Sequence, residues 1–244
     1  MRCTSPEFQV EAHLYEGYDD VDWAAVLALC ERFGLPVPPG GPPGFVQERR
    51  TARLAPATEE QLRAIVVGEL QPLEQPIVLA GYDPEWPRLF EREAERIRGA
   101  LGDRALKIEH TGSTSVPGLA AKPIIDIVLV VEDSADEAAY VPALEAAGYV
   151  LRIREPEWYE HRLLRAPDKS VHVHVFSPGC EEVERMVRFR DHLRANDDDR
   201  ELYERTKREL AAHDWKFGQN YADAKTGVIR EILARAGVSA SADV

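Results

Sequence analysis

The sequence predicts an α/β (α+β) fold: a mixed sheet flanked by helices, with a helical C-terminal part and a small N-terminal extension. Three observations predict it. Residues 123–131 are a near-continuous aliphatic run broken by one acid, as expected of a strand covered on both faces. Residues 159–165 and 170–176 are strand-like and joined by Ala166-Pro167-Asp168-Lys169, a hairpin-like turn. Three helical stretches follow from Glu181, after the last strand, which suits a mixed sheet with a helical C-terminal lobe.

In order along the chain, Asp22 starts a helical pattern that runs to Phe33 and stops at Gly34. Residues 36–44 are too rich in Pro and Gly for helix or central strand and read as a linker. A short helix is expected from Thr58 to Leu70. The first 76 residues hold six Arg and no Lys, a composition shift that supports a boundary near Pro76. Residues 1–76 thus form a mainly helical extension, 77–236 the main domain and 237–244 a flexible tail.

Within the main domain, Trp86, Leu89, Phe90, Ala94 and Ile97 recur at helical spacing and predict a helix over 84–101. Strands are expected at 105–109, 123–131, 149–153, 159–165 and 170–176. A helix over 134–147 ends at Gly148. Helices follow over 181–195, 198–213 and 221–236. Asn196-Asp197-Asp198-Asp199 lacks the glycine and terminal glutamate spacing of a calcium loop, and Asp197 or Asp198 is expected to cap a helix.

The bulk numbers narrow the function. A net charge of −13 disfavours nucleic acid as a partner, because that binding rests on Lys and Arg neutralising phosphates. A small anionic ligand in a locally basic pocket is compatible with it. Cys3, Cys30 and Cys180 are too far apart for a CxxC zinc site or a disulfide framework. No apolar run approaches the roughly 20 residues that span a bilayer, and no signal pattern opens the chain. A cytoplasmic protein with no membrane partner is expected.

The chemistry concentrates between residues 110 and 126. Gly112 allows a sharp turn and a close ligand. Ser113, Thr114 and Ser115 offer hydroxyls, and the turn's amides can form an anion nest. Asp126 follows Ser113 by 13 residues inside the aliphatic strand, where a carboxylate is costly without a partner, a metal or water. These are the parts for holding a triphosphate and a divalent ion. The simpler alternative is a common Gly-Ser-Thr turn and an acid that caps a neighbouring helix.

The run from Glu109 to Asp126, EHTGSTSVPGLAAKPIID, closely resembles the GrpB family signature, a branch of the nucleotidyltransferase superfamily. Tyr82-Asp83-Pro84-Glu85-Trp86, His172-Val173-His174-Val175, Phe189-Arg190-Asp191-His192-Leu193-Arg194 and the stretch from Tyr203 to Lys207 match as well. Together they cover residues 77–236 in order. The resemblance implies a nucleotidyltransferase-like fold, with Gly-Ser for the phosphates and a strand Asp for metal. That superfamily usually has two acids one residue apart on the strand, sharing a face. Here the second position is Val128, which cannot bind a metal.

His172 and His174 sit two apart on one strand and therefore point the same way. They are candidates, with Asp126, for metal binding or base catalysis, where the superfamily often brings a third acid. His110 is a further metal candidate, and His161 could join the group. Such a set suits Zn²⁺ or Mn²⁺ better than Mg²⁺, which prefers oxygen. Lys122 and Arg190 are candidates for holding phosphate. Lys207 and Lys225 lie on helical stretches, where a solvated face is the simpler reading. Trp158 and Tyr159 could stack on a base, although core packing is the simpler role.

The expected function is transfer of a nucleotidyl or phosphoryl group from an NTP to a small-molecule acceptor, aided by Mg²⁺, Mn²⁺ or Zn²⁺. The alternative is a non-catalytic nucleotide- or metal-binding helper of the kind fused to dephospho-CoA kinase, with a protein partner reached through residues 1–76.

Overall fold

The computed structural model describes residues 56–237. The helix expected over 22–33, the linker at 36–44 and the tail after Gly237 lie outside the described residues. The sheet has five strands: β1 (Lys107–Thr111), β2 (Ile125–Val130), β3 (Val150–Glu155), β4 (His161–Arg165) and β5 (Val171–Phe176). Their spatial order is β1-β2-β5-β4-β3. β2 and β5 run parallel, and the other neighbours are antiparallel. The expected mixed sheet and the helical C-terminal part are both present.

The helices are α1 (Glu59–Ile65), α2 (Trp86–Leu101), α3 (Glu137–Ala146), α4 (Glu181–Ala195), α5 (Asp197–Ala211), α6 (Gly218–Ala224) and α7 (Thr226–Arg235). β2 lies inside the sheet, between β1 and β5, with apolar residues on both of its faces. Ile125, Ile127 and Leu129 pack on Trp86, Ile97 and Leu101 of α2 and on Tyr140, Val141 and Leu144 of α3. Val128 and Val130 meet Phe176 and Val183 on the other face. Each such side chain, fully buried, contributes roughly 1.5–3 kcal/mol, so the position of β2 is firmly set. A second core joins Val116 and Leu119, just after the glycine turn, to Leu193, Tyr203, Val228 and Ile232. It anchors the turn to the C-terminal helices.

Several boundaries differ from the expectation. α1 stops at Ile65 because Val66 leaves it to bridge Ile153, and the Val67 amide donates to the Arg152 carbonyl at 2.8 Å. β1 runs two residues later than expected, because its ladder with β2 continues to the pair Thr111 and Asp126. The helix expected over 221–236 is two helices, α6 and α7, meeting at Lys225. The cap of α5 is Asn196, whose side chain accepts from the Asp199 amide at 3.1 Å, rather than Asp197 or Asp198. No helix among the described residues is long and apolar enough to cross a membrane.

Candidate metal and phosphate site

Residues paired across adjacent strands share a face. Thr111, Asp126, His172 and Arg165 therefore form one row across β1, β2, β5 and β4, and Glu109, Val128, His174 and Leu163 form the next. This register puts Asp126 beside both histidines. Asp126 Oδ1 lies 3.3 Å from His172 Nδ1 and 3.8 Å from His174 Nε2. Among the described residues this is the one group of three His, Cys, Asp or Glu side chains able to close on a single ion. It is accessible as well: the side chains of Asp126, His172 and His174 retain 27%, 17% and 22% exposure. Burial works to raise the Asp126 pKa, but the neighbouring His172 and His174 outweigh it and hold the carboxyl below its usual range. Burial pushes His172 down, which favours a neutral ring with a lone pair to offer.

The glycine turn reaches the same place. Gly112 has φ of 66°, and a β-carbon built on it would stand 2.3 Å from Asp126 Oδ2. Only a residue without a side chain lets the backbone come so close. Of the three hydroxyls that follow, Thr114 Oγ1 donates to the Ile124 carbonyl at 3.1 Å, and Ser115 Oγ donates to the Gly112 carbonyl at 2.5 Å. Both are buried and hold the turn's shape. Ser113 is only partly buried, and its Oγ accepts from Lys207 Nζ at 3.0 Å. Arg194 forks onto the Ser115 carbonyl with bonds of 2.9 and 2.8 Å, fastening the turn to α4.

A cationic wall completes the site. Lys207 is 2% exposed and also donates to the Ala120 carbonyl. Burial, then the nearby Lys225, brings its pKa down to about 7. Burial and Lys225 likewise bring Lys122 down to about 8. Lys122 and Lys225 both lie over the Tyr221 ring, at 5.3 and 4.9 Å from its centroid. The Tyr221 hydroxyl and Arg165 Nε are buried without a hydrogen-bond partner. Lys122, Lys225 and Arg165 each feel the Asp126 charge. Asp126 faces three of these cations, with Glu204 acting on Lys207 and Asp223 on Lys225, so the four cations outnumber the acids beside them in an otherwise acidic chain. An anion could relieve both their mutual repulsion and the unmet hydrogen bonds.

Residues 76–235 match the family described as GrpB protein. The chain belongs to the GrpB family. It is 59% identical over 184 residues to a UPF0157 protein of Halalkalibacterium halodurans, covering 75% of this chain and 94% of that one. It also resembles the crystal structure of the conserved protein GrpB from Enterococcus faecalis, with 34% identity and a TM-score of 0.58, over 65% of this chain and 96% of that one. A dephospho-CoA kinase of Mycolicibacterium paratuberculosis is 46% identical over 77 residues, which is 30% of this chain and 19% of the kinase.

In this GrpB chain the other sequence candidates fall in different places. His110 pairs with Ile127, so strand alternation points it to the sheet face opposite Asp126. There it stacks on Phe90 at 4.7 Å and meets Thr114 Oγ1 at 3.1 Å. Burial brings its pKa down to about 4. The expected grouping of His110 with the metal candidates is therefore not formed. Arg190 is already engaged: it donates to Glu109 at 2.8 Å, Asp191 at 2.8 Å and the His110 carbonyl at 2.9 Å. Trp158 packs edge-on against His161 and Phe176, as a core residue does.

Sequence reasoning underrated Lys207 and Lys225 as solvated helix residues. The missed signal is the spacing of Tyr203 and Lys207, four apart and hence on one helix face, with Tyr203 in the core. Beyond Ser113 a cavity of about 170 Å³ opens among the C-terminal helices, lined by Gly112, Met186, Phe189, Leu193, Tyr203 and Ile229 among others. The turn forms part of its lining, and its walls are largely apolar.

Proposed function

We propose that this GrpB protein is a metal-dependent transferase that moves a nucleotidyl or phosphoryl group from an NTP to a small-molecule acceptor. The observation that carries the proposal is the close approach of Gly112 to Asp126, which sets the polar turn beside the acid. Asp126, His172 and His174 would hold the divalent ion, and their two nitrogens favour Mn²⁺ or Zn²⁺ over Mg²⁺. When bound, such an ion would supply positive charge to the phosphates and the attacking oxygen.

The chain's own residues do the rest. Ser113 and Lys207 would orient phosphate oxygens, and Lys122, Lys225 and Arg165 would offset their charge. The apolar cavity beside Ser113 would take the base or the acceptor. The missing second acid has a local substitute. Val128 is fully buried, but its register partner on β5 is His174, which presents a nitrogen on the same face.

The test is incubation with labelled NTPs, Mn²⁺, Zn²⁺ or Mg²⁺ and a panel of small acceptors. A labelled product that Asp126→Ala fails to form is expected. Binding of NTP with no product on any acceptor, identical in wild type and Asp126→Ala, would contradict the transferase reading.

A further inference from the structure

The three metal candidates do not explain His161 or Glu155. His161 is 3% exposed. Its Nδ1 lies 2.8 Å from Glu155 Oε2, and its Nε2 lies 3.1 Å from His174 Nδ1. The rings of His161 and His174 stack at 5.2 Å, while Trp158 and Phe176 pack against His161. A polar line thus runs from Glu155 through His161 to His174 and on to Asp126.

Two local irregularities build this line. β3 carries a bulge between Leu151 and Ile153, which shifts its later residues so that Glu155 pairs with His161. The turn between β3 and β4 then places Tyr159 and Glu160 at φ of 53° and 50°. Such values are costly for residues with side chains and are retained where the surroundings demand them.

We propose that Glu155 and His161 are positioning residues that aim the bare Nε2 of His174 at a metal ion shared with Asp126. This rests on the metal-site reading above. The ionised carboxylate of Glu155 can only accept, so His161 Nδ1 donates to it. Nε2 of a neutral His161 then accepts from His174 Nδ1–H. His174 is left with an unprotonated Nε2 facing Asp126 Oδ1, two acceptors at 3.8 Å that a cation between them would reconcile. Outer hydrogen bonds of this kind set which nitrogen of a histidine binds metal and hold the ring in place.

The test is titration of the metal-free full chain with Co²⁺ alone, followed by calorimetry and by the visible absorption of bound Co²⁺. His161→Phe keeps a ring against Trp158 and Phe176 but offers no acceptor. His161→Gln puts an amide oxygen near the lost Nε2. Asp126→Ala removes a ligand. His161→Phe is expected to weaken Co²⁺ binding by about 10- to 100-fold and to change the spectrum. His161→Gln is expected to restore much of the affinity, and Asp126→Ala to lose it. Wild-type affinity and spectrum in His161→Phe, with binding lost in Asp126→Ala, would overturn the positioning role and leave the metal site standing. Equal loss in both His161 variants would also overturn it, as a merely structural role. Unchanged binding in Asp126→Ala would overturn the site itself. If His161→Phe does not fold, Glu155→Leu tests the same line with His161 retained, and wild-type Co²⁺ binding there overturns the proposal.

Discussion

Gly112 lies so close to Asp126 that a single added methyl group would stand 2.3 Å from the Asp126 carboxylate. The acid lies on β2 and the turn follows β1, and their approach sets the turn's hydroxyls beside the acid. Gly112→Ala should therefore harm the protein twice. The φ of 66° becomes strained, at a cost of roughly 1–3 kcal/mol, and Asp126 is displaced from His172 and His174. Urea unfolding and Co²⁺ titration on the same variant measure the two effects. Wild-type stability together with wild-type metal affinity would show that the approach is looser than described.

Lys207 should impose a pH dependence. Its folded pKa is about 7 against an ordinary value of 10.5. The unfolded chain therefore binds more protons between those values, so this group makes stability rise with pH from about 7 toward 10.5. Its burial penalty is fully felt below the folded pKa and relieved above the unfolded one. Lys207→Met should flatten that part of the profile. Urea unfolding of both proteins at pH 6.5 and pH 9 checks this, and parallel profiles would contradict it.

The same group links anion binding to protons. A triphosphate beside Lys207 and Lys122 would draw both back toward the charged state, so binding near pH 8 should take up protons. Calorimetry of a nonhydrolysable NTP in buffers of different ionisation enthalpy reads that uptake. Identical apparent enthalpies in all buffers would place the phosphates elsewhere.

His110 provides a control for the sheet faces. It lies on the face opposite Asp126, so His110→Gln should leave Co²⁺ affinity unchanged. A large loss, with thermal stability retained, would bring His110 back as a ligand.

Asp199 separates stability from the site. It is buried between His192 at 2.6 Å and Arg235 at 2.5 Å in the C-terminal helices. Asp199→Ala leaves His192 without this partner, while Arg235 is 41% exposed and keeps Glu231, so a modest loss of stability is expected, measured by denaturant unfolding. A cost near zero would mean solvent already screens the pairs.

Much of this was legible in the sequence because it follows local rules. The aliphatic run with one acid pointed to a strand buried on both faces, which β2 is. The i, i+2 spacing of His172 and His174 gave a shared face, and Gly112 gave a tight turn. The parts set by long-range pairing were not legible. Strand register alone decides that His110 faces away and that His174 stands beside Val128. Lys207 and Lys225 read as solvated because nothing local shows the second core that buries their helices against the turn. The line from Glu155 to His174 needs a bulge, which has no composition signature in Leu151-Arg152-Ile153.

The most direct measurement is a crystal structure with Mn²⁺ and a nonhydrolysable NTP, using anomalous scattering to find the metal. The account predicts a manganese peak within coordination distance of Asp126, His172 and His174, with phosphate density against Ser113 and Lys207. Manganese away from all three side chains, or phosphates bound away from Gly112 and Asp126, would contradict it.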